Sequence, residues 1–97
     1  MSIIVVGGHD RMHEEYKTIG KKLGHHIKVF TQMPTRFEKL IGKPDGMVLF
    51  TSTVSHKMVG IAVKEAKRKN IPVVRSHSSS ATSLFEVLKE FEQRPTA

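Results

Sequence analysis

Three short apolar runs constrain this chain more than any other feature. They are Ile3-Ile4-Val5-Val6, Met47-Val48-Leu49-Phe50 and Val73-Val74. Each ends in a polar segment: Gly7-Gly8-His9-Asp10-Arg11, Thr51-Ser52-Thr53-Val54-Ser55-His56-Lys57 and Arg75-Ser76-His77-Ser78-Ser79-Ser80. Each polar segment runs into a pattern with helical spacing. Runs with no polar alternation suit strands buried on both faces. If they are parallel, all three polar segments crowd one edge of one sheet, the edge where open α/β folds bind ligands.

The intervening segments fill in the order. Met12, Tyr16, Ile19 and Leu23 mark one helical face, and Gly24 suits its end. Asp10 is placed to cap that helix. Ile27 and Val29 alternate with His26, Lys28 and Phe30, as in a half-exposed edge strand. Thr35-Arg36-Phe37-Glu38 reads as a capping box for a short helix that carries Phe37, Leu40 and Ile41 inward. Ser55 caps a helix with Met58, Val59, Ala62, Val63 and Ala66 inward, and Asn70 ends it. Ser83-Leu84-Phe85-Glu86 reads as another capping box, ahead of a stripe of Leu84, Val87, Leu88 and Phe91. The expected architecture is α/β: a four-stranded parallel sheet, order 2-1-3-4, with helices on both faces. One domain covers residues 1–92, and Gln93 to Ala97 are expected to fray.

Bulk properties narrow the function classes. With no cysteine among 97 residues, disulfides and thiolate metal sites are excluded. No apolar stretch reaches 18 residues, the length of a membrane span. Met1-Ser2 leads straight into the first apolar run, without a signal-peptide pattern, so a cytoplasmic protein is expected. The formal charge is +7. It is uneven, because Glu86, Glu90 and Glu92 face only Lys89 and Arg94 after residue 80. A basic surface attracts phosphates and other anions, or simply keeps a small protein soluble.

The segments Gly7-Gly8-His9-Asp10-Arg11-Met12, Phe30-Thr31-Gln32-Met33, Phe50-Thr51-Ser52-Thr53-Val54-Ser55-His56-Lys57-Met58 and Arg75-Ser76-His77-Ser78-Ser79-Ser80 carry a resemblance. They resemble the signature segments of a bacterial family known as domain of unknown function 2325. The match extends from residue 3 to about residue 90. It implies a small Rossmann-like domain and no activity.

The residues themselves suggest an anion site. Helix N-termini near residues 10, 55 and 80 offer open N–H groups and a partial positive charge. Thr51, Ser52, Thr53, Ser55, Ser78, Ser79 and Ser80 add hydroxyls, while Arg11, Lys57 and Arg75 add fixed charge. Gly7 and Gly8 let the backbone turn tightly beside a ligand. The plainer reading of each hydroxyl is a helix cap or a turn. Neither G-x-G-x-x-G nor G-x-x-x-x-G-K-[ST] occurs, so no standard nucleotide fingerprint is present.

Competing readings exist. His9, His56 and His77 sit one to each polar segment and could ligate a zinc-type metal, with Asp10 beside them and hydrolysis as the outcome. His13, His25 and His26 read as surface residues. A serine, a histidine and Asp10 share the edge, but no G-x-S-x-G nucleophile elbow is present. Lys64, Lys67, Arg68, Lys69, Lys21 and Lys22 could touch nucleic-acid phosphates without reading bases, although cations at helix C-termini are favoured anyway. The expectation is a module that binds a small, phosphate-bearing anion for sensing, sequestration or regulation rather than turnover. It needs no cofactor, and a homodimer through the Val73-Val74 edge would cover an open strand.

Overall fold

The computed structural model describes residues 1–93. Residues 94–97, most of the expected frayed tail, lie outside the described residues; Gln93 closes the last helix instead. The strands are β1 (Ser2–Val6), β2 (His26–Phe30), β3 (Gly46–Phe50) and β4 (Val73–Ser76). The helices are α1 (His13–Lys22), α2 (Phe37–Ile41), α3 (His56–Arg68) and α4 (Ala81–Gln93), and a single 3-10 turn, Asp10–Met12, precedes α1. The sheet has order β2-β1-β3-β4 and every pairing is parallel.

Burial follows the apolar patterns. β1 is covered from Ile3 to Val6, and every residue of β3 is buried. On β2 only Ile27 and Val29 are buried, as its alternation requires at an edge. Val5 sits at the centre, registered to Val29 on one side and Val48 on the other.

The pleat divides the core into halves. On one face Ile3, Val5, Val48 and Phe50 pack with Tyr16 of α1 and with Leu84, Leu88 and Phe91 of α4. On the other, Ile4, Val6, Met47 and Leu49 pack with Phe37 and Ile41 of α2 and with Met58, Ala62 and Ala66 of α3. Fully burying each large apolar side chain contributes about 1.5–3 kcal/mol, so both halves are needed. Contact is close where α1 crosses β2: a Cβ on Gly20 would stand 2.0 Å from Ile27 Cγ1.

Helix starts depart from the local motifs. No capping box forms at Thr35–Glu38; α2 begins after Arg36, whose left-handed φ of 60° turns the chain sharply, and no side chain caps it. Leu40 points to solvent, 43% exposed, rather than inward. α4 starts two residues before Ser83, and its cap is Ser80, whose Oγ accepts the Ser83 N–H at 3.1 Å. Ser55 does cap α3, accepting the Met58 N–H at 3.2 Å, and Asn70 turns the chain after it with φ 56°.

Candidate functional site

The parallel sheet carries the segments after β1, β2, β3 and β4 to its C-terminal edge. β1 and β3 are neighbours whose connections leave in opposite directions, which makes their junction the switch point. Gly7 and Gly8 occupy this junction with φ of 103° and 92°. A Cβ on Gly8 would lie 2.7 Å from the Tyr16 ring, and one on Gly7 would lie 3.0 Å from the Phe50 carbonyl oxygen. Only glycine fits this path at ease.

Hydrogen bonds lace the segments into one rim. The Gly7 N–H donates to the Phe30 carbonyl at 2.9 Å, and the Gly8 N–H donates to Thr53 Oγ1 at 2.8 Å. The Thr51 N–H donates to the Ser76 carbonyl at 2.9 Å, and the Ser52 hydroxyl donates to the His77 carbonyl. The Tyr16 hydroxyl reaches from α1 to the Ser79 carbonyl at 2.6 Å. The Ser76 hydroxyl donates to the Ser78 carbonyl at 2.7 Å, and the Ser78 Oγ accepts the Ser80 N–H at 3.3 Å. These hydroxyls therefore help to build the rim, by ties between segments at Ser52 and Thr53 and by local bonds at Ser76 and Ser78.

Asp10 has a different place from the expected cap. No side chain caps the turn it begins. Its carboxylate accepts hydrogen bonds from the Thr31 hydroxyl and, at 2.7 Å, from the Gln32 amide. These two bonds, more than nearby His13 and His9, hold its carboxyl below the usual aspartate range. Burial pushes the Tyr16 phenol up, partly offset by its hydrogen bonds with the His9 backbone and Ser79. Tyr16, Thr31 and Gln32 were not among the expected site residues. Thr31 and Gln32 could have been found, since any segment after a parallel strand reaches the same edge. Tyr16 is masked in the sequence by an ordinary core spacing.

The cations behave differently from the hydroxyls. His56 and Lys57 occupy the first turn of α3, and both are exposed. The side chains of Arg11, His56, Lys57, Arg75 and His77 make no hydrogen bond or ion pair with any described residue. Ser55 satisfies the Met58 N–H, so the N–H groups of His56 and Lys57 stay open at the positive end of α3. Arg75 lies within β4 rather than in the loop after it. It is registered to Leu49 and exposed, and strand alternation turns it toward the α3 side of the sheet. The rim thus offers anion donors around a scaffold that has already satisfied its own polar groups.

His9, His56 and His77 share this edge, but among the described residues no group of three or more His, Asp or Glu is disposed to hold a metal ion. A surface groove of about 430 Å³, lined by Lys17, Lys21, Gly24, His25, His26 and Ile27, lies at the opposite end of the sheet. It shares no residue with the rim. No described helix is long and apolar enough to cross a membrane.

Comparison with known proteins gives a family and no activity. No curated protein and no solved structure matches the chain. A family model described as "Uncharacterized protein conserved in bacteria (DUF2325)" matches residues 2–91, the span that holds the whole sheet, all four helices' packed faces and the complete rim. The chain belongs to the DUF2325 family.

Proposed function

We propose that the rim binds a small anionic ligand, phosphate-bearing and nucleotide-like in class, and that the protein senses or sequesters this ligand rather than turning it over. The observation that carries this reading is the division of labour at the rim. The hydroxyls of Ser52, Thr53, Ser55, Ser76 and Ser80 are spent on the scaffold, while Arg11, His56 and Lys57 stand free at the same sheet edge as the Gly7-Gly8 turn. Charge held on a pre-formed frame without an internal partner is suited to an anion brought from outside. The only carboxylate in these segments, Asp10, is engaged by Thr31 and Gln32 rather than set against a serine.

The same reading includes a two-fold dimer through β4. That strand ends the sheet on one side, and Arg75 is exposed on it. Two copies joined there would cover an open edge and set two Arg75 side chains near a shared anion. Light scattering across a tenfold concentration range checks this, and a constant mass near 11 kDa removes the dimer.

Thermal unfolding with inorganic phosphate, AMP and ATP tests the site. A ligand at a hundred times its Kd adds about 2.7 kcal/mol. In a domain of this size each kcal/mol raises Tm by about 4–8 °C. The expected result is such a rise for a phosphate compound, abolished in Arg11→Ala/His56→Ala, whose ligand-free Tm stays near the native one. If no phosphate compound shifts Tm, or if a chelator lowers it, the reading fails.

A further inference from the structure

The formal charge of +7 is not spread over the molecule; it is concentrated on one helix layer. α3 carries Lys57, Lys64, Lys67 and Arg68 against Glu65 alone. α2 and its flanks carry Arg36, Lys39 and Lys43 against Glu38. Across the sheet the balance differs. α4 carries Glu86, Glu90 and Glu92 with Lys89, and α1 sets Glu14 and Glu15 against Lys17, Lys21 and Lys22. α2 and α3 share one face of the sheet and α1 and α4 the other, so the protein has a basic side and a nearly neutral side.

We infer that the outer face of α3, with α2 beside it, docks on the sugar-phosphate backbone of double-stranded nucleic acid without reading its sequence. Lys57 is the one residue this surface shares with the rim, and the inference does not rest on the small-anion reading.

Four observations support it. Burial of Met58, Ala62 and Ala66 turns the row Lys57, Gly60, Lys64 and Arg68 outward. Lys57 to Lys64 spans about 10 Å along the helix and Lys64 to Arg68 about 6 Å. A row of that length is too long for one small anion and suits a polyanion. Second, the helix dipole favours Arg68 in the last turn but does not account for the whole row, because Lys57 stands in the first turn, where a cation is disfavoured, and that turn holds no acid. Among the described residues of α3 and its C-terminal flank, only Arg68 and Lys69 are neutralised locally, by Glu65 at 2.8 and 3.4 Å. Third, Gly60 is exposed in mid-helix and a Cβ there would meet nothing within 4 Å. Glycine there costs about 0.5–1 kcal/mol relative to alanine, with no packing reason inside this chain. It leaves a low point between Lys57 and Lys64 where a phosphate chain can come close to the helix. Fourth, no aromatic ring is exposed on this layer among the described residues, since Phe37 is buried. Single strands are held largely by stacking bases on such rings, so the surface favours the backbone of a duplex.

Fluorescence polarisation of a labelled 20-base-pair duplex of arbitrary sequence, from 50 to 200 mM salt, tests this. The native protein should bind in the micromolar range or tighter at 50 mM, with affinity falling steeply with salt. Lys64→Glu/Lys67→Glu should weaken binding at least tenfold and reduce the salt slope by about 2. Lys17→Glu/Lys21→Glu makes the same change in net charge on the other layer and should alter affinity less than threefold. Arg11→Ala/His56→Ala should bind duplex normally, which separates this inference from the rim reading. If circular dichroism shows the α3 reversal unfolded, Lys64→Gln/Lys67→Gln replaces it, with at least a threefold loss expected. Equal losses from the α1 and α3 variants, no binding at 50 mM salt, tighter binding of the single strand, or equal competition by polyglutamate would each overturn the proposal.

Discussion

The two ends of the sheet use polar chemistry in opposite ways. At the N-terminal end several charged side chains, though not Lys17 or Lys21, are spent on the chain itself. His25, its side chain only 7% exposed, pairs with Glu92 of α4 at 3.1 Å. This corrects the surface role expected for it. Asp45 Oδ2 accepts the Ser2 N–H at 2.7 Å, and Lys69 donates to the Gly42 carbonyl at 2.7 Å. At the C-terminal end, hydroxyls and a tyrosine do the joining, while Arg11, His56, Lys57 and His77 are left without partners. Neutral hydroxyls can fasten a loop without cancelling a nearby charge, whereas an ion pair removes the charge it uses. These contacts make a seam at the N-terminal end that consumes its charges, and the rim keeps its field available.

The sharpest way to break this contrast is to deform the rim's frame. Gly8→Ala combines a positive φ with a Cβ 2.7 Å from Tyr16. It should cost about 3 kcal/mol, read as a lower urea midpoint with unchanged slope. A loss under about 1 kcal/mol would mean the Gly7-Gly8 turn relaxes easily and the frame is not pre-formed.

A smaller effect follows from removing single fasteners. Tyr16→Phe deletes the bond to Ser79, and Thr53→Val deletes the acceptor for Gly8. Each should cost about 0.5–1.5 kcal/mol by urea unfolding and speed hydrogen exchange in residues 77–80 and 7–9 respectively. Unchanged exchange would show that the loops are not joined through these groups.

Asp10 gives a pH test of the same seam. Its carboxyl is held below the usual value of about 3.9 by hydrogen bonds from Thr31 and Gln32. A carboxyl depressed on folding contributes stability that is present above its unfolded value and lost as pH falls through its folded one. Asp10→Asn should therefore lower Tm at pH 6 and bring it back toward the native Tm below pH 3. A gap that is the same at both pH values would show that the charge of Asp10 plays no part.

The smallest stability effect should come from the free cations. Arg11→Ala, His56→Ala and Lys57→Ala should each leave ligand-free stability within about 0.5 kcal/mol of native. A larger loss from any one would show that it fastens the fold, and the contrast between the two ends would narrow.

Much of the fold was legible because its causes are local. Val5 and Val48 sit in runs without polar alternation, which places their strands in the middle, while Ile27 and Val29 alternate with Lys28, which places theirs at an edge. Met58, Ala62 and Ala66 recur at the spacing of one helical face. Even the layers were within reach. A right-handed crossover from β1 to β2 runs one way across the sheet, and those from β2 to β3 and from β3 to β4 run the other. This puts α1 on one face and α2 and α3 on the opposite face, as found. Capping motifs failed where another partner, near or far along the chain, was available. Ser80 caps α4 instead of Ser83, and Asp10 turns from its own helix to Thr31 and Gln32.

By itself, then, the sequence determined the strand order, the edge at which the polar segments gather, and the residue types available there. Those follow from periodicity and chain order, which every stretch of residues carries within itself. The tertiary structure decided which polar groups are consumed and which remain. The Tyr16 hydroxyl meets Ser79 across 63 positions of sequence, and Gly8 meets Thr53 across 45. It also decided the face of α4, which no later strand constrains, and so put the glutamates of that helix on the side away from Lys64 and Lys67. Such pairings depend on distances between segments that meet only after packing, and no local pattern encodes them.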